Sequence, residues 1–296
     1  MSEFKHIAVL FDEVIEHLNI NPEKLYIDGT CGAAGHSQGI LEKLNNNGKL
    51  LSFDHDEAVI QRISKLADSK DNWSLVHSNF RNIWNYAKEE DLKINGGILL
   101  DLGLSSIQLD DPERGFSFNA DTRLDMRMDT DLEMDAHDVI NKVSEKELAE
   151  ILFIYGEERK SRLIAKLVCQ NRPINTCQEL ADLIKSIYAK TSSRKVSFKI
   201  HPATKTFQAL RIYVNQELEA LKEFLELDFS CLEAGTRIAI ISFHSLEDRM
   251  VKNVFRELKQ EDKLKIISKK PLIAQEQELE ANPRSRSAKL RIAEVL

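Results

Sequence analysis

The sequence lacks several features that are typical of metal-binding, disulfide-rich, membrane or secreted proteins. It has only four cysteines, Cys31, Cys169, Cys177 and Cys231, and none of them forms a CxxC pair. Their spacing suits neither a zinc site nor a disulfide framework, so we expect reduced thiols. The sequence has no run of about 18 apolar residues, as a membrane-spanning helix would need. The first residues lack the apolar stretch of a signal peptide, and a cytoplasmic protein is the expectation.

An overall positive charge is also missing. Lys and Arg number 41 against 48 Asp and Glu, giving a formal net charge of −7, so the surface as a whole does not indicate nucleic-acid binding. The local distribution does, because an acid-free stretch contains Lys185, Lys190, Arg194, Lys195, Lys199, Lys205 and Arg211. A second basic cluster contains Arg284, Arg286, Lys289 and Arg291. Such patches suit contacts to phosphates, whose strength falls with salt.

What the sequence does contain is an alternation of short apolar runs and helical patterns. The runs that predict strands are residues 25–28, 49–53, 74–77, 97–102, 237–243, 264–267 and 289–295. Helical patterns follow the first two runs, at 36–44 and 57–66. This alternation predicts an α/β fold with a mostly parallel sheet covered on both faces. The last two runs are short and bounded by polar residues, as in a hairpin-like pair at a sheet edge.

The alternation is interrupted between residues 110 and 205. Residues 110–135 are acidic, but arginines are interleaved and the spacing fits no calcium loop, so we expect a salt-bridged loop or lid rather than a metal site. Helical periodicity runs from 136 to 189, with a capping box at Ser144 and Glu147 and a weaker start at Thr176. A long helix is predicted at 205–227. We therefore assign 1–109 and 206–296 to the core and 110–205 to an inserted, mostly helical domain.

A glycine-rich turn follows the first predicted strand. Gly29, Gly32 and Gly35 allow the backbone to turn tightly and to approach a ligand closely. Asp54 ends the next strand, where a carboxylate can accept hydrogen bonds from both hydroxyls of a ribose. The spacing is GxxGxxG rather than the GxGxxG of dinucleotide sites, and Asp28 precedes it. An acid there repels a pyrophosphate but suits a sulfonium, which favours S-adenosylmethionine over NAD.

Further candidate residues lie at the ends of later strands. Asp101 ends the fourth strand, and with Asp28 and Asp54 it makes three acids at the edge where parallel sheets bind ligands. Asp101 is the leading candidate for a group near the reacting centre. His244 follows the fifth strand and is, with Asp101, a predicted catalytic residue that orients the substrate or relays a proton; a purely structural role is the alternative. His201, before Pro202, is interpreted as a loop or capping residue.

Several long segments of the chain resemble the RsmH (MraW) methyltransferases. The matching strings are HIAVLFDE at 6–13, DGTCGAAGH at 28–36, GILLDLGLSSIQL at 97–109, DDPERGFSF at 110–118, LDMRMD at 124–129, YGEER at 155–159, HPATKTFQALRIYVN at 201–215, ISFHSLEDR at 241–249 and NPRSRSAKLR at 282–291. They cover essentially the whole chain. The resemblance implies a Rossmann-like methyltransferase core with a seven-stranded sheet and a substrate-recognition insertion. It also implies N4-methylation of a cytosine in the decoding region of 16S ribosomal RNA, and it suggests a homodimer.

The same resemblance implies a set of cofactor contacts. The residues that match the S-adenosylmethionine site of the family are Ala34, Gly35, His36, Asp54, Phe80, Asp101 and Gln108. Two departures stand out, because the turn of the family is usually richer in glycine and arginine than Ala33-Ala34, and its SSPQ is here Ser-Ser-Ile-Gln. Alanine can still offer its backbone amide, so binding should survive if the φ angle there is negative.

Methylation of a cytosine amine places definite demands on the protein. The amine lone pair is delocalised into the ring, so a catalyst must hold the nitrogen in line with the methyl donor and accept a proton. We expect Asp101 or a nearby backbone carbonyl to accept from the amine, with Phe116, Phe118 or Phe243 stacking on the base. Without the resemblance, two alternatives remain: a methyltransferase for a small molecule or a protein side chain, and an NAD-dependent dehydrogenase or a binding protein that only retains a nucleotide.

Overall fold

The buried apolar side chains form two separate hydrophobic cores. The structure is a computed structural model that describes residues 8–191 and 201–296. The first core belongs to a unit made of Met1–Ser106 and Leu218–Leu296, and the second to a unit made of Ile107–Glu217. The second boundary lies later than the predicted one at 205, because helix residues predicted to join the first core pack into the second.

The first unit is built on a seven-stranded sheet. Its strands are β1 (Leu25–Asp28), β2 (Lys49–Asp54), β3 (Trp73–His77), β4 (Gly97–Asp101), β5 (Arg237–Ser242), β6 (Leu264–Ile266) and β7 (Lys289–Val295). They lie in the order β3-β2-β1-β4-β5-β7-β6. Neighbours from β3 to β5 are parallel, whereas β7 is antiparallel to both β5 and β6. The predicted α/β class and mostly parallel sheet are confirmed.

Burial on both faces explains why the strands read as continuous apolar runs. In β4, Ile98, Leu99 and Leu100 are all 0% exposed, so successive side chains on opposite faces both meet the core. Apolar and polar residues therefore do not alternate along such strands. The strands are recognised instead by short runs of β-branched and aliphatic residues between polar boundaries. The predicted edge pair is also present, although β7 lies between β5 and β6 rather than beside β6 alone.

The helices cover the sheet and build the second unit. They are α1 (Phe11–Leu18), α2 (Gly35–Leu41), α3 (Glu57–Ala67), α4 (Ile83–Glu89), α5 (Ser106–Asp110), α6 (Ala136–Lys142), α7 (Glu145–Gly156), α8 (Ser161–Gln170), α9 (Cys177–Thr191), α10 (Thr204–Asn215), α11 (Glu217–Leu225), α12 (Ser245–Gln260) and α13 (Glu276–Ala281). None of the described helices has the length and apolar character that a bilayer crossing requires.

The single long helix predicted at 205–227 is wrong. The chain forms α10 and α11 instead, separated at Gln216, which adopts a left-handed φ of 51°. Leu210 of α10 is buried in the second core, whereas Leu221 and Phe224 of α11 are buried in the first. A continuous helix would have kept the periodic apolar face in one core, so the break follows from tertiary packing.

The acidic segment of the second unit is salt-bridged, as predicted. Arg123 donates to Asp135 at 2.8 Å and Arg127 to Asp125 at 2.8 Å. Arg114 donates to two backbone carbonyls of the same segment, those of Arg127 and Met128. These guanidinium groups fix an irregular backbone that has little regular hydrogen bonding of its own.

Helix starts in the second unit follow the predicted capping signals, with one difference of detail. Ser144 accepts from the Glu147 amide at 3.2 Å at the start of α7. At the weaker start, Thr176 accepts from the Glu179 amide and Glu179 accepts from the Thr176 amide, both at 3.2 Å. The reciprocal capping box is thus complete at Thr176, the start with the weaker sequence signal.

Candidate functional site

Acidic side chains from neighbouring strands meet at the carboxyl edge of the sheet. Asp28, Asp54 and Asp101 are the last residues of β1, β2 and β4. The central strand β1 is hydrogen-bonded to both of the others, and all run in the same direction. Open α/β sheets bind ligands at this edge. The sheet topology therefore brings together the three acids that the sequence singled out.

The glycine turn after β1 is held across the edge by backbone hydrogen bonds. The Gly29 amide donates to Leu99 O of β4 and the Cys31 amide to Phe53 O of β2, each at 2.8 Å. Gly32 then adopts a φ of 52°, in the left-handed region, where a side chain is strained. The turn therefore crosses from β4 to β2 at the carboxyl edge of the sheet.

Ala34 does not have the negative φ angle under which its amide was expected to be available to the cofactor. Its φ is 62°, not negative, which for an alanine costs on the order of 1 kcal/mol. Its amide donates to Cys31 O at 2.8 Å and its carbonyl accepts from Gln38, so the expected free amide is absent here. The tight turn consumes that amide, and a role of Ala34 in cofactor binding would depend on close approach rather than on a hydrogen bond.

Asp54 and Asp28 are buried and organise the turn. Asp54 is 8% exposed, and it accepts from the Gly32 amide at 2.9 Å and from the Asp56 amide at 3.0 Å. Asp28 accepts from the Ser37 hydroxyl at 2.6 Å. Burial raises the pKa of Asp28 to about 6, against the lowering effect of Ser37, and burial also raises the pKa of Asp54. A cationic ligand would reverse these shifts, because it favours the ionised carboxylates.

Asp101 has a buried carboxylate oxygen without a hydrogen-bond partner among the described residues. Its amide donates to Thr30 Oγ1 at 2.6 Å, which fixes the strand end against the turn. Its Oδ2 lies 3.7 Å from Nδ1 of His36, and no described residue donates a hydrogen bond to its buried Oδ1. Burial, followed by the charges of Asp28 and Glu247, raises the pKa of Asp101 well above its usual value. Such a carboxyl is suited to accept from a ligand N–H or a proton.

The other predicted cofactor residues lie on different elements and have different surroundings. His36 is 5% exposed and hydrogen-bonds through Nε2 to Val9 O at 3.0 Å. Phe80 follows β3, packs edge-on against Phe224 at 6.2 Å and is 8% exposed. Gln108 lies in the second unit on α5, buried, with its amide 3.5 Å from Met128 O. Gly35, the first residue of α2, follows Ala34 directly.

His244 has a structural position that the sequence did not reveal. It is the N-cap of α12, where its Nδ1 accepts from the Glu247 amide at 3.4 Å. Its Nε2 lies 3.2 Å from Glu247 Oε1 but outside hydrogen-bond geometry with any described residue. The capping role accounts for Nδ1, and a catalytic role for His244 stays a prediction.

Glu247 and Thr30 were missed by the sequence analysis. Glu247 is 2% exposed and accepts from the amides of Phe243 and His244 at 2.8 and 3.3 Å. Its place three residues after the cap is the usual signal of a capping box, but histidine is an uncommon N-cap and hid the pattern. Thr30 carries no signal in the sequence, since its hydroxyl matters only through the distant amide that it meets.

The three candidate stacking rings lie in different surroundings. Phe116 and Phe118 pack against the second core, and one face of Phe118 is covered by His201 at 4.4 Å and 6°. His201 also accepts from the Ala203 amide at 3.2 Å, and it lies in the loop before α10, whose N-cap is Ala203. Phe243, in contrast, follows β5 and lines a cavity.

The unsatisfied polar groups at the carboxyl edge show whether the site fits S-adenosylmethionine. Buried side-chain polar atoms are normally hydrogen-bonded. At the carboxyl edge, Asp101 Oδ1, Ser242 Oγ and His244 Nε2 are buried and find no hydrogen-bond partner among the described residues. Carboxylates beside a glycine turn are also suited to a ribose and to a positively charged sulfonium. The residues present therefore fit the cofactor.

Substitution of Gly32 tests whether this turn holds the cofactor. A Cβ at Gly32 would meet Ser105 Cβ at an ordinary 3.5 Å, so Gly32→Ala should cost only backbone strain, about 1–2 kcal/mol. Because this strain distorts the turn, we expect a roughly 5- to 30-fold weaker binding of S-adenosylmethionine by calorimetry. The matched control is Gly235→Ala, at another left-handed glycine (φ 87°) with nothing within 4 Å of the added Cβ. Equal cofactor affinities of the two variants would contradict the assignment.

Comparison with known proteins places the chain in a family. The sequence signature of the MraW methylase family matches residues 3–296. A protein of Fusobacterium nucleatum named ribosomal RNA small subunit methyltransferase H is 45% identical over 308 residues, covering 98% of this chain and 96% of the relative. A protein of the same name from Clostridioides difficile is 45% identical over 315 residues and covers 99% of both chains.

A solved structure is also similar, at a lower level. The structure of an rRNA methylase from Streptococcus thermophilus aligns with a TM-score of 0.43 and 14% identity, covering 98% of this chain and 99% of that one. The family signature and the sequence relatives are stronger findings than this structural alignment, because they match nearly the whole chain and the relatives are 45% identical to it. The chain is an S-adenosylmethionine-dependent methyltransferase and belongs to the MraW methylase family.

Proposed function

We propose that the protein methylates the exocyclic N4 amine of one cytosine in the decoding region of 16S ribosomal RNA. The observation that carries the proposal is the unpartnered Oδ1 of Asp101 at the tip of β4, beside the glycine turn. The names of the relatives described above support the ribosomal substrate. The acid-free basic stretch supports a partner rich in phosphates.

The residues of the site supply what the chemistry of an amine needs. When bound, the cofactor provides an electrophilic methyl group. The nitrogen that takes it gains an N–C bond in exchange for the methyl–sulfur bond of the donor, and it gives up one proton. Asp101 accepts a hydrogen bond from the amine and then that proton, and burial raises the pKa of Asp101 above its usual value, which increases its affinity for a proton. His36, 3.7 Å from Asp101 Oδ2, orients the carboxyl from its other side.

The second unit is proposed to recognise the RNA. The target base must be unpaired or flipped to reach a buried site, which requires contacts to the surrounding backbone. Lys185 and Lys190 are exposed on α9, whereas Arg211 is paired with Glu217 at 2.8 Å. Lys205 donates to Glu157 O. The homodimer suggested by the resemblance stays a prediction.

Charge reversal in the basic stretch should weaken RNA binding selectively. Arg194 and Lys195 lie outside the described residues, and the prediction for them rests on the sequence alone. We expect Arg194→Glu with Lys195→Glu to lower RNA affinity by at least tenfold in a filter-binding titration, with a shallower salt dependence. Cofactor affinity, measured by calorimetry, should be unchanged. Unaltered RNA affinity would count against this surface.

Mapping of the modified nucleotide tests the proposed function directly. Small ribosomal subunits that lack the modification, and free 16S RNA, would be incubated with the protein and S-adenosylmethionine and then digested for mass spectrometry. We expect one added methyl group on the N4 of a single cytosine. The comparison of the two substrates shows whether the protein requires the assembled subunit. Transfer to another nucleotide, to a ribose or to protein would overturn the proposal.

A further inference from the structure

A cavity of about 280 Å³ lies in the first unit, between the residues that follow β5 and those that lead into β7. Its walls come from residues 243–245 after β5, from residues before and within α13, and from residues 286–289 leading into β7. We propose that this cavity binds one nucleotide of the substrate RNA, a neighbour of the methylated cytosine. The inference rests on the proposed function and names a subsite for the RNA.

The position of the cavity relative to Asp101 follows from the strand register. Asp101 pairs with Ile241 of β5, and Ser242 pairs with Lys289 at the start of β7. Neighbouring strands lie about 4.8 Å apart, so the tips of β4 and β7 are separated by about 10 Å. The target amine must lie at Asp101. The cavity is therefore beside the reacting position and suits a flanking nucleotide rather than the target.

The apolar part of the wall is suited to a nucleobase. Ile273 is 57% exposed and Leu279 is 37% exposed, although both are large aliphatic residues at the rim of a cavity. Phe243 contributes an aromatic ring. Stacking of bases on aromatic and apolar side chains is the common mode of binding for single-stranded nucleic acid. Small-ligand pockets usually measure roughly 300–1,000 Å³, and a cavity of about 280 Å³, just below that range, suits a ligand no larger than one nucleotide.

The charged part of the wall is suited to a phosphate. No Asp or Glu is among the residues that line the cavity. Lys289 is bonded to Asp248 at 3.1 Å, whereas the exposed Arg286 makes no ion pair within residues 8–191 and 201–296. A planar guanidinium binds phosphate oxygens in pairs. An apolar wall with one uncompensated arginine at its edge matches a base and its phosphate.

Two substitutions at the rim test the cavity with little risk to folding. Ile273→Asp removes the apolar wall and Arg286→Glu reverses the charge. For each we expect at least a tenfold higher KM for the small subunit, a kcat within twofold, and unchanged cofactor affinity and melting temperature. The matched controls are Leu66→Asp and Arg62→Glu on α3, where Leu66 is 38% exposed and Arg62 is exposed. Both controls should keep the wild-type KM.

A photocrosslink identifies the occupant independently of kinetics. A benzophenone amino acid at position 273 should crosslink to the RNA of the subunit within about two nucleotides of the methylated cytosine. The same amino acid at position 66 should give no such crosslink. Crosslinks far from the target, or an unchanged KM of both rim variants, would overturn the assignment of this cavity as an RNA subsite. The proposed function would still stand in that case, provided that the wild-type protein methylates the RNA. Failure of the wild-type protein to methylate the RNA would overturn both.

Discussion

Replacement of Asp101 with asparagine should lower kcat for methyl transfer by on the order of 10²- to 10³-fold, the usual contribution of a positioned acid or base. Asparagine keeps the shape of the side chain and can still meet the cofactor, but it cannot take up a proton. The cofactor affinity should therefore change much less than kcat. The prediction depends on the free Oδ1, because a carboxylate fully occupied by protein donors could not accept from a substrate amine.

Single-turnover kinetics with methylation-free subunits would measure this effect, with cofactor binding followed by calorimetry. Because burial and neighbouring acids raise the pKa of Asp101, the wild-type rate should rise with pH through that pKa, and the variant should lose this dependence. Asp68→Asn, an exposed acid at the end of α3, is the matched control. Full turnover by Asp101→Asn and Asp101→Ala would move the accepting role to a backbone carbonyl nearby.

Replacement of Asp54 with asparagine should weaken S-adenosylmethionine binding by about 100-fold, with less effect on kcat at saturating cofactor. Each hydrogen bond to a charged group contributes about 1.5–3 kcal/mol, and a ribose offers two hydroxyls to the carboxylate. Two of the acceptor positions of Asp54 are taken by the amides of Gly32 and Asp56. A carboxylate has roughly four such positions, so two remain for the ribose.

The neighbouring acid provides a close control for this prediction. Asp56 is also buried and caps α3 by accepting from the Ala58 amide at 3.0 Å. Asparagine is an equally good N-cap, so Asp56→Asn should keep both stability and cofactor affinity. Calorimetric titration of the two variants, with melting temperatures measured in parallel, separates ribose recognition from folding. Equal affinities for wild type and Asp54→Asn would contradict the role of Asp54.

The strands and their acidic ends could be predicted because their causes are local. Buried parallel strands require continuous apolar runs, and glycine is required where the chain turns sharply. Once the strands are placed, the rule that parallel strands share one carboxyl edge brings Asp28, Asp54 and Asp101 together. The family resemblance added the names of further residues, such as Phe80 and Gln108, but not their surroundings.

Other features were decided by contacts between distant parts of the chain. The break at Gln216 arises because α10 and α11 are buried in different cores, although their apolar residues follow one helical period. Ala34 adopts a left-handed φ because its amide must close the turn onto Cys31. Phe118 is covered by His201 while Phe243 lines a cavity, and nothing in the two sequence neighbourhoods distinguishes these rings.

The amino-acid sequence thus determined which residues form strands, where the chain turns, and which acids stand at the strand ends, since each depends on side chains close together in the chain. Only the tertiary structure decided which polar atoms stay unpartnered, which helix joins which core, and that residues 243–245 and 286–289 enclose a cavity. The physical reason is that burial and hydrogen-bond satisfaction depend on neighbours supplied by remote segments, and local patterns carry no record of them.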